Sequence, residues 1–467
     1  DASCSLKPQP WPWGCPFGPH RDANLLTKRI PRRRNHAPYL VFPQPARDLT
    51  RGIADYVVGS CGEILVVVMD NVDRLDLDSQ LNAFQAALSF MALTRSFVIL
   101  QMRDETYERF KDKPPLDTYR SGITFHISPP RFIDVVKRRL ELSLEYLTRE
   151  ASDVQRYTLE SGVRISYPKS ELGSFLRELY IELFERKHNI ARILEALAGR
   201  DVRRALEMFV SVITSGHLSV SAITSNVMGA KTIPIREHSV LKILMRTDYR
   251  FASDHSGYII NVMGFNKEWE RPDNFLLSEI LYFLYTNRKR RGQIGLEGYF
   301  TCRYLADELQ RYGYIPEDVL QAMRFLLGKQ LITADHMNFA GVEFTDSVRI
   351  LAAGFMHLRI LPERLEYLYG VLPTTPISDL GAVQKIAAVI QRENERDAVA
   401  AADKAYAVRI LHGHLSAELQ RVRNQSAVLP PGESGATYLL KKVSECLHHF
   451  KTGTRQSEGP DPLDIDT

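Results

Sequence analysis

None of the apolar runs in this 467-residue chain approaches the ~20 residues that a membrane-spanning helix needs. The densest, Ile64 to Met69, has the length of a buried strand, so a chain without membrane spans is expected. Cysteine is scarce as well: the five thiols, Cys4, Cys15, Cys61, Cys302 and Cys446, are scattered and form no CxxC pair. That spacing supports neither a disulfide framework nor a zinc site. Cys446-Leu447-His448-His449, with His412 and His414 upstream, lacks the second thiol of a zinc finger. A reduced, cytoplasmic setting is expected. An excess of one charge sign is also missing, because 60 Lys and Arg stand against 56 Asp and Glu for a net +4, and bulk charge alone selects no polyanionic partner. No Ser/His/Asp nucleophile arrangement stands out, and no solenoid repeat is present.

What is present suits a globular chain of two or three domains, with 44% hydrophobic and 25% charged residues. Residues 1–45 are the exception. They hold nine of the 24 prolines, include Trp11-Pro12-Trp13-Gly14-Cys15-Pro16, and show no periodicity. They are expected to be unstructured or foreign to the fold.

Residues 46–130 read as part of an α/β core. A helical pattern over Ala46 to Val58 leads into the almost continuously apolar Glu63 to Met69, which suits a central parallel strand covered on both faces. A helix over Gln80 to Leu93 and a strand over Ser96 to Leu100 complete a βαβ unit, and a third strand is expected at Ile123 to Ile127, before Pro129-Pro130. Residues 131–232 read as a helical lid, with helices over Phe132 to Leu147, Phe175 to Phe184, Ile190 to Ala198 and Val202 to Val212. Residues 233–370 begin with the β-prone Tyr258 to Val262. Helices over Phe275 to Tyr285, Cys302 to Arg311 and Glu317 to Lys329 follow, then strands Leu331 to Thr333 and Val342 to Phe344. Three helices and a hairpin give the winged-helix order. Residues 371–452 are expected to be helical and 453–467 a disordered tail. The fold class is thus α/β followed by mostly α.

Chemistry concentrates where strands end, since open α/β sheets bind ligands outside the carboxyl ends of their strands. Asp70 sits there, with Asp73 three residues on. One acid can hold Mg²⁺ through water while the other polarises an attacking water, or Asp70 can simply cap the next helix. The next strand ends in Leu100-Gln101-Met102-Arg103-Asp104, and the planar donor fork of Arg103 suits a γ-phosphate as well as it suits Asp104 or Glu105. In Gly199-Arg200-Asp201-Val202-Arg203-Arg204-Ala205-Leu206, Asp201 is the expected N-cap. Arg203 and Arg204 oppose the helix dipole there, so either an external anion or Glu195 and Glu207 would compensate them.

Taken together, these elements resemble the STAND/AAA+-type P-loop NTPases over about residues 46 to 360. Val67 to Arg74 is similar to the Walker B segment of STAND and KAP-type members. Leu100 to Asp104 is similar to their strand-end arginine, and Gly199 to Leu206 to the lid element of origin-recognition initiator ATPases. The resemblance implies ATP and Mg²⁺ as cofactors and slow hydrolysis used as a conformational switch in bacterial regulation, signalling or defence. It implies Asp70 and Asp73 as catalytic, Asp70 as the Mg²⁺ acid, and Arg103 with Arg203 or Arg204 as phosphate sensors.

The departure from that pattern is a missing Walker A loop, G-x-x-x-x-G-K-[ST], whose amides, Lys and hydroxyl hold the phosphates and metal. Gly229-Ala230-Lys231-Thr232 comes after the Asp70 segment and lacks both glycines of the motif, while Gly59-Ser60-Cys61-Gly62 lacks the Lys. Activity is therefore expected only in a longer parent, of which this chain would be a fragment. The alternative is a non-catalytic DNA-binding or scaffold protein using the winged helix. Arg288-Lys289-Arg290-Arg291 and Arg32-Arg33-Arg34 are the candidates for phosphate-backbone contact. The third helix offers only Gln321, Arg324, Lys329 and Gln330 to a DNA groove, so protein partners or self-association are expected ahead of DNA.

Overall fold

A computed structural model describes residues 44–118, 124–125, 127, 130–149, 154–158, 164–168, 181, 188–199, 201–215, 237–247, 249, 251–253, 257–265, 273–335, 341–396, 399–425 and 433–452. Residues 1–43 of the Pro/Trp-rich leader with Arg32 to Arg34, most of the helix expected over Phe175 to Phe184, Gly229 to Thr232 and the tail after Thr452 lie outside the described residues, while Gln44 and Pro45, expected to be unstructured, open the first helix. The described chain is mostly helical, with a two-stranded parallel sheet and small antiparallel sheets. No helix among the described residues is long and apolar enough to cross a membrane.

The first unit is α1 (Gln44–Ala54), β1 (Val66–Met69), α2 (Leu77–Thr94), β2 (Phe97–Leu100) and α3 (Asp104–Phe110). Helix α2 starts where the Asp76 carboxylate accepts from the Ser79 amide at 3.0 Å and its hydroxyl at 2.7 Å. It stops where Arg95 turns left-handed at φ 51°. The hydroxyl bond, ahead of the amide bonds, holds the Asp76 carboxyl below its ordinary range. Strands β1 and β2 pair in parallel, Val66 opposite Phe97 through Met69 opposite Leu100.

Here one expectation fails. The apolar run predicts a β1 covered on both faces, yet Val66, Val68, Phe97 and Ile99 are 51, 57, 57 and 43% exposed. A strand turns alternate side chains to opposite faces, and α2 covers only one. Among the described residues nothing lies over the other. Of the third expected strand only Thr124, Phe125 and Ile127 are described, and they lie outside any strand.

The main core runs from Phe132 to Cys446 and does not include the β1–α2–β2 unit. It begins with α4 (Phe132–Arg149), α5 (His188–Ala198), α6 (Val202–Thr214) and α7 (Glu237–Arg246). Ile190, Leu194, Leu197, Met208 and Val212 recur at helical spacing and are fully buried, with Phe132 edge-on to Phe209 at 6.4 Å. An antiparallel pair not expected from sequence, β3 (Val154–Thr158) with β4 (Arg164–Pro168), follows α4.

Next come α8 (Leu276–Thr286), β5 (Phe300–Thr301), α9 (Cys302–Gln310), α10 (Pro316–Gly328), β6 (Ile332–Ala334) and β7 (Ser347–Ile350). The sheet order is β5-β7-β6, all antiparallel, so the last strand pairs with both others. Thr301 caps α9 by accepting from the Tyr304 amide at 3.3 Å, and Pro316 opens α10 at the position where its missing N–H costs nothing. The strand expected over Val342 to Phe344 is a turn instead. The Asp346 carboxylate takes the Glu343 amide at 2.7 Å, Arg324 Nε donates to the Val342 carbonyl at 2.9 Å, and the ladder starts only at Ser347. Local side-chain bonds outcompete sheet pairing there.

The β-prone Tyr258 to Val262 is buried from Ile259 on and forms no strand; the Tyr258 amide donates to the Leu244 carbonyl at 2.9 Å, and side chains satisfy the backbone groups of Ile260 and the Val262 amide. The Ile260 amide donates to His357 Nε2 at 3.0 Å. Tyr367 Oη donates to the Ile260 carbonyl at 3.0 Å and accepts from the Val262 amide at 3.3 Å.

The chain closes with α11 (Ala352–Phe355), α12 (Leu365–Gly370), α13 (Leu380–Arg396), α14 (Ala401–Gln425) and α15 (Gly435–Thr452). A side chain from α8 caps α15, the Glu279 carboxylate taking the Gly435 amide at 2.7 Å and the Ala436 amide at 2.9 Å. Burial pushes the Glu279 carboxyl up, and the two amides oppose that rise. Glu393 of α13 meets Arg246 of α7 at 3.2 Å and accepts from Tyr369 Oη of α12 at 2.9 Å, joining three helices.

Candidate functional site

The carboxyl edge of the parallel pair is built by register. Because Met69 lies opposite Leu100, Asp70 and Gln101 leave the sheet side by side, and Arg103 comes two residues later. Asp70 is exposed, and among the described residues its carboxylate accepts only from the neighbouring Asn71 amide, at 2.8 Å. Asn71 turns left-handed at φ 59°, a conformation Asn tolerates, and throws the chain into a short turn over Val72 to Arg74. Buried Val72 anchors that turn, which leaves Asp73 half-buried. The Asp73 carboxylate makes no hydrogen bond or ion pair among the described residues. Arg103 is half-buried at the N-cap position of α3. Two acids and a guanidinium thus belong to one sheet edge, and neither acid carries a structural ion pair among the described residues.

Arg203 and Arg204 lie elsewhere. Asp201 caps α6 by accepting from the Arg203 amide at 2.9 Å and the Arg204 amide at 3.1 Å, so an internal carboxylate already occupies the amides that an external anion would use. Arg203 is exposed. Arg204 is half-buried and reaches the end of α10: Nη1 donates to Gln330 Oε1, and Nη2 to the Lys329 carbonyl at 3.3 Å. Burial lowers its pKa from the ordinary arginine value. The cavity there, about 300 Å³, is lined by Arg203, Arg204, Lys329, Asp201, Glu207 and Tyr258, a set of mixed charge. The structure therefore gathers Asp70, Asp73 and Arg103 at one sheet edge and places Arg204 between α6 and α10.

Arg288 stacks 4.4 Å over the Tyr285 ring and donates to the Tyr285 carbonyl at 2.9 Å, while Lys289, Arg290 and Arg291 are exposed on the adjoining turn.

Sequence reasoning overlooked His357, a fully buried imidazole whose pKa burial lowers to about 4. Its Nδ1 donates to the Ala353 carbonyl at 2.7 Å, which leaves Nε2 free to accept from Ile260. The signal was present: an imidazole inside the apolar run Phe355-Met356-His357-Leu358 has to find buried partners. Comparison with protein-family models, with curated proteins and with solved structures finds no match to this chain.

Proposed function

We propose that this chain carries the acid-bearing part of a STAND/AAA+-like, ATP-dependent regulatory switch. In it, Asp70 holds Mg²⁺ through water, Asp73 polarises the attacking water and Arg103 reads the γ-phosphate. The observation that supports this most is the parallel register of β1 and β2, which brings Asp70 and the Arg103 segment out at the same carboxyl edge. The order of α8, β5, α9, α10, β6 and β7 agrees with a winged helix, and Arg204 offers a direct link from the lid to it. Without a Walker A loop the reading assigns hydrolysis to a longer parent protein, with ATP and Mg²⁺ as its cofactors.

The test is the reading frame upstream of the first helix. An in-frame strand followed by GxxxxGK[ST] supports the proposal, and Asp70→Asn in that longer protein is expected to lower ATP turnover about 100-fold or more. A frame without such a loop, or a variant that hydrolyses ATP like the parent, refutes it.

A scaffold role for the winged-helix-like unit has its own support. Of the polar residues of α10 that a groove reader would use, Arg324 is bound to Val342 and to Glu343 at 2.7 Å, and Gln330, just beyond its end, is bound to Arg204. Those bonds favour packing against protein over reading bases.

A further inference from the structure

The turn after α8 is built like a small fixed platform. The Gly298 amide bonds the Arg290 carbonyl at 2.9 Å, the Gly292 amide bonds the Leu296 carbonyl at 3.1 Å, and Arg291 and Glu297 bridge as antiparallel partners. Gly298 sits at φ +75°, where a Cβ would lie 2.8 Å from the Arg288 carbonyl, so this close backbone crossing requires glycine. The Gln293 side chain accepts from the Thr301 amide at 3.1 Å and ties the tip to β5, while Arg288 is stacked on Tyr285 at the base.

On this platform Lys289, Arg290 and Arg291 are all exposed, and among the described residues none of the three side chains has an acidic partner. Other surface arginines do have one: Arg311 meets Glu308 at 3.0 Å, Arg392 meets Asp403 at 3.3 Å and Arg421 meets Glu418 at 2.8 Å. Glu297, opposite Arg291 on the bridge, is the one acid beside them among the residues of this turn and makes no ion pair with it, so three consecutive cations held close keep a net positive charge that repels itself, and a polyanion relieves that repulsion.

We propose that Lys289, Arg290 and Arg291 dock the phosphate backbone of a nucleic-acid duplex, independently of sequence. An anionic membrane fits less well, since interfacial binding uses apolar side chains beside the cations, and no large apolar residue is exposed between Tyr249 and Ile315 among the described residues. The occupied polar groups at α10 explain why the contact is to backbone and not to base edges.

The experiment is a fluorescence-anisotropy titration of a short labelled DNA duplex with the full chain across a salt series. Three phosphate contacts give a slope of log K against log salt of about −2.7, so a fourfold rise in salt is expected to weaken binding about 40-fold. In the variant Lys289→Gln/Arg290→Gln/Arg291→Gln, whose circular dichroism and melting are checked against the parent, the slope is expected to shrink by about 2.7, to near zero, and binding at low salt to be lost. The control Arg311→Gln/Arg392→Gln/Arg421→Gln removes the same charge elsewhere and is expected to bind like the parent. The proposal is overturned if the parent does not bind duplex at low salt, or if the two variants lose affinity equally. It is equally overturned if polyglutamate, or vesicles of equal parts phosphatidylserine and phosphatidylcholine, bind in preference to duplex.

Discussion

Replacing His357 by Leu removes the acceptor of the Ile260 amide and the donor to the Ala353 carbonyl from a fully buried position. A buried amide left without a partner costs about 1–3 kcal/mol, so at neutral pH the variant is expected to be less stable by about that amount. The dependence on pH is the sharper test. In the fold the imidazole pKa is lowered to about 4 from an ordinary 6.5, burial being the largest cause and the nearby Arg204 charge adding to it. The unfolded chain therefore takes up a proton as pH falls through 6.5, while the fold refuses one until about 4, so the histidine destabilises the fold progressively across that window. At about pH 5 the loss is about 2 kcal/mol, and it levels off near about 3 kcal/mol below about pH 4. The leucine side chain of the variant cannot titrate. The stability gap between parent and variant in urea melts is thus expected to narrow by about 2 kcal/mol between about pH 7.5 and about pH 5. Other buried groups do not confuse the comparison. Burial raises Asp273 and Glu279 and lowers His412 and His414, but all four remain in both proteins and cancel in the difference. A gap that stays constant or widens as pH falls would show that His357 is not the neutral, bonded imidazole described above.

Other substitutions test other joints. Gly435→Ala would place a Cβ 2.6 Å from the Glu279 Cα, forcing α15 away from α8, and is expected to cost about 1–3 kcal/mol in thermal melts; an unchanged melting curve would contradict this close approach. Arg204→Ala and Gln330→Ala, alone and combined, should show a coupling energy of about 0.5–3 kcal/mol if the contact between α6 and the end of α10 holds in solution, and strict additivity would deny it. Ile99→Lys lies on the uncovered face of the parallel pair, so the fold is expected to survive while 8-anilinonaphthalene-1-sulfonate binding drops, and unfolding would mean that the face is covered. Asp70→Asn in this chain is expected to leave the melting temperature unchanged, since among the described residues its carboxylate bonds only the adjacent amide.

Much of the local architecture is legible in the residue pattern. Apolar spacing places α2, α4, α5, α6, α8, α9 and α10 within a few residues of their ends, and Asp201 at the head of α6 announces its cap. The β1–α2–β2 succession is legible because a short apolar strand, an 18-residue helix and a second strand leave the chain little choice but a parallel pair. Where reading fails, a competitor is at work that no local pattern records. Val342 to Phe344 has strand composition, yet the Asp346 carboxylate and Arg324 hold its backbone. Tyr258 to Val262 also looks like a strand, yet His357 and Tyr367, roughly a hundred residues away, take the bonds a neighbouring strand would have taken.

The same division separates the parts of the candidate site. Asp70 and Arg103 share an edge because of strand register, which follows from the short βαβ connection and is therefore present in the sequence. The partners of Arg204, the capping of α15 by Glu279 and the bare outer face of β1 and β2 depend on which surfaces meet across long stretches of chain. Periodicity and caps act over a few residues and are written locally. The destination of a long side chain is settled only when distant elements compete for it, and that competition takes place in the tertiary structure.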